Sequence, residues 1–197
     1  MAEHLPVDKT FKLFIGGAFP RSESGHTFQV RSDDGRLLAN AAKASRKDLR
    51  EAVRAARSAQ AGWAGRTAYN RGQVLYRVAE MLDARRDEFV AVLRDGGRSA
   101  ESARNEVEQA VDRWVWYAGW ADKVHQVLGT VNPVAGPFFN FTYPEPTGVV
   151  VQAVPDDPPL LGLASRLAPA IVTGNTSVVL AGEAATLVAM SLAEVLA

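Results

Sequence analysis

The 197-residue sequence contains no cysteine. That absence excludes disulfides, thiolate-bound zinc and a cysteine nucleophile within this chain. Neither sign of charge is in excess. Lys plus Arg and Asp plus Glu each total 22, so the net charge is zero and nothing points to nucleic acid or an anionic membrane as a partner. Long apolar runs are missing too: the start, MAEHLPVDKTFK, lacks an apolar signal core, and no later window has the length to span a bilayer. A cytoplasmic protein is the expectation. Histidine is scarce, and His4, His26 and His125 share no ligand spacing, which favours surface or hydrogen-bonded imidazoles over a metal site.

What is present suits one domain of ordinary size or slightly more, with enough chain to bury a core. FKLFIGG reads as a short strand closed by Gly16 and Gly17, and HTFQV and GRLLANAA read as extended segments around a turn at SDDG. Ser45 with Asp48 three residues on resembles a capping box. Leu49, Ala52, Val53, Ala56 and Ala59 then share one helical face, predicting a helix over 46–61. Val74, Leu75, Val78 and Leu82 mark a second helix between Asn70 and Arg86, and Phe89, Val90 and Leu93 a shorter one that stops at Gly96 and Gly97. A longer helix starts near Ser99, with Val107, Val111, Trp114, Ala118 and Ala121 on one stripe. Trp116 and Trp120 lie on a neighbouring face, so burial on more than one side is expected there. Core packing is the commoner use of such an aromatic cluster, a ligand or subunit surface the rarer one.

From Asn132 to Pro146 the texture changes. NPVAGPFFNFTYPEP is rich in proline and aromatics and reads as a connector carrying an extended FFNFTY segment. Beyond it, GVVVQAV is a β-branched run of the kind found in strands buried on both faces. LLGLASRLAPAIVTG is helical, NTSVVL is a second strand and EAATLVAMSLAEVLA a second helix, which together make a parallel β-α-β-α unit. The α/β chain is therefore divided into residues 1–131 (β segment and helices), 132–147 (connector and arm strand) and 148–197 (a partial Rossmann-like unit).

The segments LFIGGAF, SGHTF, GRLLANAAKASRKDLREAVRAARSAQAGWA, YAGWADK, EPTGVVVQAVP and LAPAIVTGNTSVVL, in that order and spacing, resemble the N-terminal portion of the aldehyde dehydrogenase superfamily. The resemblance covers almost the whole chain. It implies an NAD(P) domain of Rossmann-like type, a catalytic domain, and an antiparallel arm that joins subunits, its first half being FFNFTY. The implied chemistry has a cysteine thiolate attack an aldehyde, a hydride pass to NAD or NADP, and water activated by a glutamate release the acid. Thiol and glutamate both fall downstream of the positions matched here. On this reading the chain alone is inactive and is completed by a partner chain or by a missing C-terminal part; the alternatives are a non-catalytic or regulatory subunit that stabilises an active aldehyde dehydrogenase, and a truncation without function. The expected partners are further copies of the chain or a complementary aldehyde dehydrogenase-like chain.

Two motifs of the resemblance fall inside the chain. The family's Pro-Trp-Asn, whose asparagine amide donates to the oxyanion, matches Pro155, Asp156 and Asp157; an ionised Asp157 offers only acceptors and would repel that charge. The family's lysine and glutamate that hold the cofactor ribose match Leu180 and Glu183, so only Glu183 is left as a cofactor-binding candidate. Its competing use is as an acid near a helix start. Asp156 and Asp157 have three readings: an acid/base pair, metal ligands, or the start of a helix. The last is favoured, with Asp157 capping free N–H groups and Pro158 at the first helical position.

Overall fold

The computed structural model describes residues 9–197, so His4 lies outside the described residues. A three-stranded sheet comes first, in the order β1-β3-β2, from β1 (Thr10–Phe11), β2 (Thr27–Arg31) and β3 (Leu37–Ala42). β1 runs parallel and β2 antiparallel to β3. The strand expected over FKLFIGG is only Thr10–Phe11. The chain turns early, where Ile15 and Ala18 pair across Gly16 and Gly17.

Helix α1 (Arg46–Ala64) starts at the expected capping box. The Ser45 side chain accepts from the N–H groups of Lys47 and Asp48, and the Asp48 carboxylate accepts from the Ser45 N–H. The same carboxylate reaches back to the sheet, accepting from Ser22 Oγ at 2.7 Å and the Glu23 N–H at 3.1 Å. Burial alone would raise the Asp48 pKa; the hydrogen bonds from Ser22, Ser45 and Glu23 outweigh it and lower the value from 3.8 to about 2.

Helices α2 (Ala68–Ala84), α3 (Arg86–Asp95) and α4 (Ala100–Ala118) then build a bundle. Leu75, Val78, Ala79 and Leu82 of α2 meet Phe89 and Leu93 of α3 and Val107, Ala110 and Trp114 of α4 in one core. α2 crosses α4 at Gly72, where a β-carbon would come within 3.0 Å of the Ala118 carbonyl and 3.1 Å of the Ala121 side chain. Trp114 is fully buried, but Trp116 is 62% exposed and touches Trp120 on the outside, so α4 is buried on one face rather than two. Val74 and Leu49, placed on apolar stripes by their spacing, are also exposed, at 37% and 41%, so the packed part of each stripe is narrower than its spacing suggests.

The short helix α5 (Val124–Leu128) leads into a hairpin of β4 (Thr130–Asn132) and β5 (Asn140–Thr142), which pair antiparallel. The ordered strand within FFNFTY is three residues long. Its aromatic side chains point outward: Phe139 is 75% exposed, and Phe138, Phe141 and Tyr143 are exposed as well. His125 stacks on Tyr143 at 4.2 Å and anchors the base of the hairpin.

The remaining elements are β6 (Val149–Ala153), α6 (Pro159–Val172), β7 (Thr176–Leu180) and α7 (Thr186–Leu196). β6 and β7 pair in parallel from Val149–Thr176 to Ala153–Leu180, joined by α6. Helix α1 packs against both strands, and α6 packs on α4 and α2. The continuous apolar run of β6 does not end up covered on both faces: Val151 is 54% exposed, since a two-stranded sheet leaves open edges and too few covering elements.

Helix α6 is fixed at both ends by side chains of the bundle. At its C-terminus Trp63 Nε1 donates to the Ile171 carbonyl at 2.7 Å and Arg71 Nε to the Val172 carbonyl at 2.9 Å. The buried Arg71 guanidinium also donates to the carbonyls of Ala64 and Arg66 at the end of α1. One cation thus serves the C-termini of two helices, where the carbonyl dipoles favour it.

Asp48→Asn is expected to lower stability at neutral pH by about 1–2 kcal/mol, through the weakened cap and sheet tie. The depressed folded-state pKa means that the wild-type contribution is complete above the usual 3.8 and is lost as pH falls through about 2. Urea unfolding of both proteins across that range checks it: the wild type should weaken toward acid more steeply than the variant.

Candidate functional site

The site region is the loop Val154–Pro158, which leaves the C-terminal end of β6 and enters α6 beside α4. Open parallel sheets place ligands outside the C-terminal ends of their strands, so this loop and the turn after β7 are where a ligand would be met. Pro158 occupies the N-cap position of α6, Pro159 begins the helix, and no side chain of the loop caps it. The Asp157–Pro158 peptide is cis.

The expected role of Asp157 is therefore corrected, as is the placing of Pro158 at the first helical position. Asp157 does not cap α6; its side chain is 80% exposed and pairs with Arg98, from the segment before α4. The cap is Glu106 of α4, whose Oε1 accepts from the N–H groups of Leu160 at 2.8 Å and Leu161 at 3.2 Å. Its side chain is only 4% exposed, and its Oε2 lies 2.8 Å from Arg98 Nε. Arg98 thus bridges a buried carboxylate and an exposed one. The reason is geometric: α4 lies directly beneath the first turn of α6, so a carboxylate from the side reaches the free N–H groups that the loop's own acid turns away from.

Arg98 and Glu106 are the residues of this region that sequence reasoning missed. The signal was present in the pattern. Glu106 falls on the stripe of Ala103, Val107, Ala110 and Trp114, and a carboxylate on an apolar stripe calls for a buried partner. Beside the pair, an open cleft of about 440 Å³ is lined by Arg98, Ser102, Asn105, Glu106, Pro158 and Leu161.

Asp156 lies on the other side of the loop. Its carboxylate leans on the turn after β7 so closely that a β-carbon at Gly182 would come within 2.3 Å of Oδ1. Glu183 is the next residue, exposed and three positions before α7. Leu180, the last residue of β7, is 48% exposed. The structure thus brings Asp156 close to the Glu183 turn and directs Asp157 away from it, to Arg98. No group of three or more histidine or acidic side chains able to hold a metal occurs among the described residues.

The family model for the aldehyde dehydrogenase family matches residues 19–197. The chain belongs to the aldehyde dehydrogenase family. It is 35% identical over 188 residues to retinal dehydrogenase 2 of Gallus gallus, a match that covers 92% of this chain and 36% of that protein. A solved structure of an aldehyde dehydrogenase from Bacillus cereus, a G224D mutant, superposes with a TM-score of 0.90 at 30% identity, covering 95% of this chain and 38% of the other. PnpE, solved in complex with nicotinamide adenine dinucleotide, superposes at 0.86 with 29% identity, covering 94% of this chain and 39% of that one. The chain spans little more than a third of the relatives it matches, their N-terminal portion.

Family-level use of NAD(P) can be tested against the side chains at the strand ends. They do not fit it: Leu180 has no group to offer a ribose hydroxyl or a 2′-phosphate, and Asp156 and Asp157 offer only acceptors. Glu183 could still accept from a hydroxyl.

Glu106→Ala should cost about 3 kcal/mol or more, because it strips the start of α6 and leaves Arg98 without its buried partner. Asp157→Ala, which removes an exposed pair, should cost less than about 1 kcal/mol. Denaturant midpoints of the two variants against wild type check the ranking.

Proposed function

We propose that the chain builds the N-terminal part of an aldehyde dehydrogenase-type subunit and does not by itself oxidise aldehydes. The observation that carries this reading is Asp157: at the position matched to the oxyanion donor stands a carboxylate, held exposed by Arg98. Loss of one such donor costs about 3–4 kcal/mol of transition-state stabilisation, and a negative charge there adds repulsion. The sequence also contains no cysteine to attack the carbonyl. In this reading, NAD(P)-dependent oxidation of an aldehyde to an acid belongs to an assembly in which other polypeptide supplies the thiol, the general base and the rest of the dinucleotide site.

The exposed aromatic face of the β4–β5 hairpin favours a second reading, in which the chain is a non-catalytic subunit that stabilises an active relative. Either way the partner is a further copy of this chain or a complementary aldehyde dehydrogenase-like chain. The open sheet edges and the hairpin both support association.

The purified chain is expected to oligomerise or to co-elute with a partner in size-exclusion chromatography with light scattering, and to form no NADH when offered aldehydes and NAD. A stable monomer at ~10 μM would count against association. Turnover only in a complex supports the shared enzyme, partner binding without turnover supports the accessory subunit, and turnover by the solitary chain refutes both.

A further inference from the structure

The charges around the strand ends do more than leave the dinucleotide site incomplete. Asp156, Asp157 and Glu183 all stand at the C-terminal ends of β6 and β7, and Glu106 lies beneath them. Against these four carboxylates stand two guanidinium groups. Arg98 is engaged by Glu106 and Asp157 together. Arg166 lies on α6, where it donates to the Gly162 carbonyl at 3.3 Å and makes no ion pair among the described residues. The local balance is net negative, and the carboxylate nearest the β7 turn, Asp156, has no basic side chain within ion-pair distance among the described residues.

We infer that this crevice selects against the diphosphate of a dinucleotide, and that Asp156, packed over Gly182, is the residue that sets this selectivity. The inference rests on the family reading above. A diphosphate approaching the C-terminal ends of parallel strands carries its charge into the space between the loop after β6 and the turn after β7. There it meets acceptors that cannot donate to phosphate oxygens, and like charges that repel them. An uncharged nucleoside suffers no such repulsion, and its ribose hydroxyls can donate to Glu183.

Ligand-observed NMR titration of the protein with adenosine, ADP and NAD separates the effects. ADP and NAD are expected to bind at least ~10-fold more weakly than adenosine, and ADP affinity should rise with added salt as the like-charge repulsion is screened. Asp156→Asn should tighten ADP several-fold, and the double change Asp156→Asn, Asp157→Asn by ~10-fold or more, with adenosine affinity unchanged in both. ADP or NAD binding to the wild type at ~50 μM or tighter would overturn the inference, as would variants that bind ADP no better than wild type. Circular dichroism confirms that each variant is folded before it is compared. Tight ADP binding without turnover would sink only this inference, whereas turnover by the solitary chain would sink the proposed function and leave the ADP comparison standing.

Discussion

The crossover helix α6 depends on other parts of the chain to satisfy both of its ends. Glu106 from α4 meets its free N–H groups, and Trp63 and Arg71 from α1 and α2 meet its free carbonyls. The signs agree with the helix dipole, an anion at the start and a cation at the end. Helix ends left unpaired when buried are costly, so these contacts, together with the shared apolar core, dock the β6-α6-β7 unit onto the bundle.

This clamp shapes the chemistry of the loop it supports. Because Glu106 has taken the start of α6, Asp157 is free to turn outward, and Arg98 is drawn between the two. The guanidinium is thereby spent on protein carboxylates at the place where a reaction site needs donors for a developing oxyanion or a phosphate. Asp156, on the opposite side of the loop, is pressed against the turn after β7. On the proposed reading this loop lies where the family reaction takes place, and its side chains carry the wrong sign for that reaction.

Much of the fold was legible because local signals and packing agreed. The box of Ser45 and Asp48, the stripe through Leu75, Val78 and Leu82, and the pairing of VVVQA with TSVVL each follow from spacing alone. The family could be read from the order of segments over the whole chain. Legibility failed where a residue's role depends on a distant neighbour. Asp157 and Pro158 had every local feature of a helix start, yet Glu106, 54 residues before Leu160, makes the contact. Trp116, Val74 and Val151 fit apolar patterns and still face outward, because a pattern fixes which residues share a face and not whether anything covers it.

By itself the sequence determined the absence of a thiol, the acids at 156 and 157, the leucine at 180 and the succession of helices and strands, since these are matters of residue identity and local periodicity. Tertiary structure alone decided which carboxylate caps α6, where Arg98 spends its charge and how closely Asp156 lies on Gly182. Those outcomes depend on the approach of α4 to α6 and of β6 to β7, distances through space that no local pattern contains.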